Sequence, residues 1–242
     1  MKENSKIFKG IVERRKSYRV FDPDYKVTDE VIEQCLKNAI LSPNSSNMQL
    51  WEFYVISKHE DIQTVGNICL NQNGAKTASQ IVIFVARPDK WKDRQKSIVA
   101  HLDTIYDDRT TKEAKKAYSY YIKVLPILFE SSFLFIRNPI KRLISLYNGS
   151  KKPFYREVHS NDLQIVAQKS VALAAQTFML SVSAEGLDCL PMEGLDSIRM
   201  KTFLKLPKGA KINMAVAVGK GKPEGIYGPR FRIPYNEVVF KV

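Results

Sequence analysis

Cysteine and histidine are scarce, three of each in 242 residues. Cys35, Cys69 and Cys189 form no Cys-x-x-Cys pair and are odd in number. Buried reduced thiols are therefore expected rather than a disulfide framework or a zinc site. His59, His101 and His159 share no ligand spacing, so no metal is expected. Long apolar runs are also missing. The longest, about 124–136, contains Pro126 and Glu130 and is too short to cross a bilayer. Residues 1–10 are polar, with no apolar segment of signal-peptide length. The expectation is a cytoplasmic protein without a membrane span. Nothing resembles a catalytic triad or a paired acid and base, which excludes the commonest hydrolytic designs.

Acidic residues are outnumbered: 25 Asp and Glu against 38 Lys and Arg leave a net charge of +13. Such a balance suggests an anionic partner, which could be nucleic acid, an anionic membrane surface or a phosphate-bearing small molecule. Nucleic acid is disfavoured because there is no helix-turn-helix glycine pattern, no zinc-ligand set and no RNA-binding aromatic signature, and the bases are spread along the chain. Apolar residues at 44% and charged residues at 26% are ordinary for a globular protein. The length fits one large domain or two small ones, with no need of covalent staples.

Helices are expected at about 5–15 and 28–41, the second with Val31, Ile32, Cys35, Leu36, Ala39 and Ile40 at helical spacing and Thr28 or Asp29 as cap. A strand is expected at 51–57, a short helix near 61–70, and at 81–86 a strand apolar at every position, as burial on both faces requires. From 87 to about 152 the pattern is helical without one clean stripe. A long helix rich in small residues follows at 162–184, stopped by Gly186, then a short helix at 197–204. A third strand is expected at 213–218 and a last short one at 235–239. Strands and helices do not alternate strictly, which favours an α+β fold: a mixed sheet surrounded by helices.

Four segments carry candidate chemistry. Arg14-Arg15-Lys16-Ser17-Tyr18-Arg19 ends a helix and can hold a phosphate, or is a solvated basic helix end. Ser42-Pro43-Asn44-Ser45-Ser46-Asn47-Met48-Gln49-Leu50-Trp51 offers amides and hydroxyls that donate and accept, as a heterocycle edge needs, or is an ordinary turn-rich loop. Leu190-Pro191-Met192-Glu193-Gly194 can present backbone N–H groups to a ligand. Gly228-Pro229-Arg230-Phe231-Arg232 places two arginines on one side of an extended segment, or simply in solvent.

In this order the four segments resemble the nitroreductase-like family of FMN-dependent oxidoreductases, over about 8–86 and 161–242. The resemblance implies a single domain, 1–242, with a variable helical insertion at about 87–160, built as an intertwined homodimer with two FMN at its interface. It implies that Arg15 and Ser17 bind the FMN phosphate or ribityl end, joined by Arg230 and Arg232. Arg19 would lie near the flavin pyrimidine, with Asn71 and Lys76 close to it. Pro43, Asn44, Ser45 and Asn47 would reach the flavin from the other subunit. Pro191, Met192, Glu193 and Gly194 would lie along one face, with a backbone N–H of Glu193 or Gly194 near N5. NADH or NADPH would reduce the flavin, and an electron-poor acceptor (a nitroaromatic, a quinone or similar) would then be reduced in a ping-pong cycle. Reductive dehalogenation or dehydrogenation on the same fold, and non-catalytic flavin binding, stay open. Leu50 stands where the family usually has proline, and Asn44 where serine is common. Seven aromatics between Tyr118 and Tyr147 (Tyr118, Tyr120, Tyr121, Phe129, Phe133, Phe135, Tyr147) suggest a lid over the flavin, or filling beneath the insertion.

Overall fold

The structure, a computed structural model, describes residues 2–129, 137–157 and 160–242, with backbone alone at 137–141 and 160–161. Helices α1 (Glu3–Arg14) and α2 (Asp29–Ala39) precede strand β1 (Trp51–Ile56). Helix α3 (His59–Ile68) and the single turn α4 (Asn73–Lys76) lead to β2 (Gln80–Ala86). Then come α5 (Trp91–Ile105), α6 (Lys112–Ser119), a π-helical turn at Tyr120–Val124, α7 (Leu125–Phe129) and α8 (Arg137–Lys151). Helix α9 (Ser160–Ala184) feeds β3 (Asp188–Met192), α10 (Ser197–Phe203) feeds β4 (Lys211–Gly219), and α11 (Tyr235–Val238) follows.

The strand order is β1-β2-β4-β3 and every pairing is antiparallel. This corrects the expected mixed sheet. Ile56 lies opposite Ile81, so the link through α3 and α4 leaves and re-enters the sheet at one end, and β2 must run back along β1. The single parallel contact among the described residues is an isolated bridge between Ser17 and Cys189. No strand is expected at Asp188–Met192, and Pro191 argues against one. The segment is nevertheless β3, an edge strand, where the missing N–H of proline costs no ladder bond. The expected strand at 235–239 is instead the short α11, which follows Pro234, and among the described residues it joins no sheet.

β2 is buried along its whole length, as its apolar run requires. Val82, Phe84 and Ala86 join one core with α2 and α9, while Ile81, Ile83 and Val85 join another with α3 and α10. The small residues of α9 let it lie close on the sheet: Ala167, Val171, Ala174, Ala175, Phe178 and Val182 are buried, and the Phe178 ring meets Phe84 edge-on at 5.4 Å. Gly186 ends the helix at φ +73, with Gly186 N–H on Ser183 O (3.1 Å) and Leu187 N–H on Val182 O (3.1 Å), a Schellman motif. The Asp162–Ala184 stretch is long and apolar enough to cross a membrane, but its buried side is the middle of this core.

The described residues of the 87–160 segment are mainly helical, and Trp91, Leu125 and Phe129 pack into the same core as the sheet. Of its aromatics, Tyr118 and Phe129 are buried, Tyr120 and Tyr121 half-buried and Tyr147 exposed. Phe133 and Phe135 lie outside the described residues.

Candidate functional site

The basic run after α1 divides its labour. Arg14 is structural: its guanidinium donates to Ser183 O (3.1 Å) and Leu187 O (2.6 Å) and pairs with the buried Asp188 carboxylate at 3.3 Å. It thereby caps the C-terminal carbonyls of α9 and orients the chain that follows. Tyr18 N–H then bonds Cys189 O at 3.3 Å, setting residues 15–19 beside β3. The result is an open cleft of about 340 Å³ lined by Arg15, Lys16, Ser17, Arg19, Arg230 and Arg232 together with Ile226, Tyr227, Gly228 and Pro229. Five of the expected site residues meet there.

The other wall comes from the segment after β4. Gly228 sits at φ +135, outside the range of other residues, and turns the chain so that Arg230 reaches back. The Arg230 guanidinium donates to Glu13 O at 3.0 Å and to Arg15 O, pinning the C-terminal arm to the end of α1. The Arg19 guanidinium lies over the Tyr227 ring, 4.7 Å from its centre. Lys16 belonged to the recognised motif but was given no role. Tyr227 was missed, since nothing marks an exposed tyrosine as a stacking platform.

The turn that follows Asn71 links Arg19 to the 190–194 segment. Gly74 is so close to Arg19 that an added Cβ would stand 3.3 Å from the Arg19 Cα and 2.4 Å from a Leu190 methyl. Gln72 donates to Gly194 O at 3.0 Å, and Asn71 itself adopts a left-handed φ of 59°. Glu193 and Gly194 are exposed, but the strand register sends the Met192 side chain into the core at 2% exposure. Only the Met192 backbone can therefore serve a ligand. Lys76 packs its side chain against Gly66 of α3 and does not line the cleft.

The amide-rich loop is elsewhere. β1 begins opposite Ala86, and Ala86 opposite Lys211, whereas Ser17 meets Cys189 and Phe21 meets Gly221 at the opposite end of the sheet. Pro43, Asn44, Ser45 and Asn47 are thus separated from the basic cleft within one chain. The loop closes on itself, Asn44 Oδ1 accepting from Gln49 N–H at 2.8 Å. It opens on a second cleft of about 220 Å³, lined by Asn47, Met48, Gln49, Arg94, Ser97, Ile98 and His101. Leu50, in place of proline, is buried, and its carbonyl accepts Arg87 N–H at 2.9 Å.

The three thiols are buried and free of disulfides. Burial pushes Cys35 and Cys69 up to about 11 and Cys189 up to about 12, although the positive charges of Arg15 and Arg14 pull Cys189 the other way. None is poised as a nucleophile.

The model of the Nitroreductase family matches residues 12–220. The chain is 29% identical over 245 residues to the oxygen-insensitive NAD(P)H nitroreductase of Salmonella typhimurium, covering 95% of this chain and 96% of that one. It superposes on the crystal structure of ydfN from Bacillus subtilis with a TM-score of 0.76 at 18% identity, over 98% and 100% of the two chains. A structure from Exiguobacterium sibiricum solved in complex with FMN matches with a TM-score of 0.66 at 21% identity, over 97% of each. With the family model spanning most of its length and this fold beneath it, the chain belongs to the nitroreductase family.

Proposed function

We propose that the protein is an FMN-dependent oxidoreductase that uses NAD(P)H to reduce an electron-poor small molecule such as a nitroaromatic or a quinone. The observation that carries this reading is the basic cleft: five cationic side chains and the Ser17 hydroxyl converge on about 340 Å³, with no acidic residue among the lining. That donor set fits a phosphate and a polar chain leading from it, because guanidinium groups bind phosphate with paired, charge-assisted hydrogen bonds. FMN, when bound, supplies the hydride chemistry. Arg15, Lys16, Ser17, Arg230 and Arg232 would hold its phosphate end. Arg19, steadied on Tyr227, would stabilise negative charge on the reduced ring. Glu193 and Gly194 would offer backbone donors.

A homodimer completes the site in this reading. Residues 227–242 are exposed throughout, including Phe231, Ile233, Tyr235 and Phe240, and α1 has no buried residue although it carries Ile7, Phe8 and Val12. So much unpartnered apolar surface suits a second copy. That copy would bring its own 43–47 loop, which lies far from the cleft within one chain. The test is the visible spectrum of the purified protein, as isolated and after adding FMN, followed by NAD(P)H oxidation with a panel of acceptors. A flavin spectrum and acceptor-dependent turnover are expected. A colourless protein that takes up no FMN refutes the reading, and a stable monomer refutes the shared site.

A further inference from the structure

Three of the four residues 46–49 hold a left-handed backbone: Ser46 at φ 55, Asn47 at 51 and Gln49 at 48. None is glycine, so in each the Cβ crowds the following carbonyl oxygen. Such a segment persists only where its surroundings hold it. Part of the restraint is local, with Asn44 Oδ1 accepting Gln49 N–H at 2.8 Å, Asn44 O accepting Asn47 N–H at 3.3 Å and Ser45 O accepting Met48 N–H at 3.1 Å, and Ser45 N–H reaches Ser170 Oγ of α9 at 3.3 Å. Two further restraints come from the insertion. The Tyr120 hydroxyl lies 2.6 Å from Ser46 Oγ, and the Tyr121 hydroxyl donates to Ser46 O at 3.1 Å.

Two consecutive residues of an α-helix point about 100° apart and do not share a target. Tyr120 and Tyr121 do so on the π-helical turn, with their rings edge-to-face at 5.2 Å. The Tyr121 carbonyl accepts Gln95 Nε2 of α5 at 2.6 Å, which ties the turn to its neighbour. π-turns are rare and frequently lie at functional sites.

We propose that Tyr120 and Tyr121 are positioning residues: their hydroxyls hold the 44–49 loop in its left-handed form, and so the variable insertion sets the geometry that the loop offers to FMN. The second half rests on the function proposed above. Rings that merely fill space would be replaced by phenylalanine without consequence.

The test is Tyr120→Phe/Tyr121→Phe in the full-length protein, with hydrogen exchange followed at the amides of residues 45–49 before and after removal of flavin. Exchange there is expected to rise about fivefold or more in the flavin-free protein, the factor for loss of one hydrogen bond of ~1 kcal/mol, while the thermal midpoint falls by no more than about 2–4 °C per kcal/mol lost. The flavin reduction potential is expected to shift, and kcat/KM for the acceptor to fall. Adding Ser46→Gly, which removes the crowding Cβ, should restore part of the protection. Unchanged exchange at 45–49 overturns the proposal. Faster exchange with an unchanged potential and unchanged kcat/KM overturns the positioning role. A wild-type protein that binds no FMN refutes the function reading instead, and the exchange data then still decide whether the tyrosines hold the loop.

Discussion

Replacing Arg87 with methionine is expected to destabilise the protein by about 2–3 kcal/mol, a magnitude bracketed by fully buried and fully exposed ion pairs. Arg87, at the end of β2, is 8% exposed and joins Asp89 by bonds of 2.8, 3.0 and 3.3 Å and Glu52 by a further one. Breaking a fully buried pair costs about 3–5 kcal/mol, and an exposed one is worth about 0–1. The present case lies between. Glu52 and Asp89 are 19% and 28% exposed, and Glu52 keeps Lys90 at 2.7 Å and the Tyr54 hydroxyl at 2.8 Å. At about 2–4 °C per kcal/mol for a chain of this size, the midpoint should fall by about 4–12 °C. Urea unfolding followed by tryptophan fluorescence, at one protein concentration, measures the loss of free energy, and a thermal scan measures the midpoint. Burial alone would raise the Glu52 pKa, but hydrogen bonds from Lys90, Tyr54 and Arg87 outweigh it and leave the carboxyl below its ordinary value. Its contribution is therefore complete above the unfolded-state value of about 4.3 and is lost as pH falls through the lower folded-state value. Arg87→Met should flatten that acid limb. A loss of stability below about 0.5 kcal/mol, within the range of an ordinary surface substitution, or an unaltered acid limb, refutes the argument.

Arg15→Ala and Arg230→Ala should each weaken FMN binding about 10- to 100-fold, the effect of roughly 1.5–3 kcal/mol for a hydrogen bond to a charged group; flavin fluorescence titration measures this, and unchanged affinity would remove either residue from the phosphate site. Arg19→Ala should lower the flavin reduction potential by roughly 20–30 mV, about 1 kcal/mol in a two-electron couple, and an unmoved potential rejects its electrostatic role. Phe178→Ala, at a fully buried ring against Phe84, should cost about 3–5 kcal/mol in the same urea assay. Cys35, Cys69 and Cys189, with thiols raised to about 11, 11 and 12, should resist a thiol reagent at pH 8 until the protein unfolds; rapid labelling of the native protein would contradict their burial.

The sequence showed β2 most plainly, because a central strand buried on both faces leaves 81–86 without a polar position, and the buried Gln80 before it is bonded to Val27 O and Asp29. It hid β3, because proline looks like a loop signal unless the strand is known to lie at an edge. Sheet direction was illegible for a related reason: the composition of 57–79 reveals helices but not that they return the chain to the end it left. At the site, a dense set of bases made the cleft conspicuous before its walls were known. That Arg14 faces α9 while Arg15 faces the cleft was invisible, since both are the same residue on one helix end and only tertiary packing separates them. The left-handed run at 46–49 gave no warning either, because it contains none of the glycines that usually mark such backbone.

The arm at 227–242 has a thermodynamic consequence. Arg230 and Arg232 line the basic cleft, and apolar residues around and after them, such as Phe231, Tyr235 and Phe240, are exposed. In the proposed dimer one segment would then serve two equilibria, association and cofactor binding. Linkage makes them reciprocal: whatever factor FMN adds to self-association, self-association must add to FMN affinity. Dilution should therefore release flavin, and flavin should hold the protein together at concentrations where the apoprotein separates.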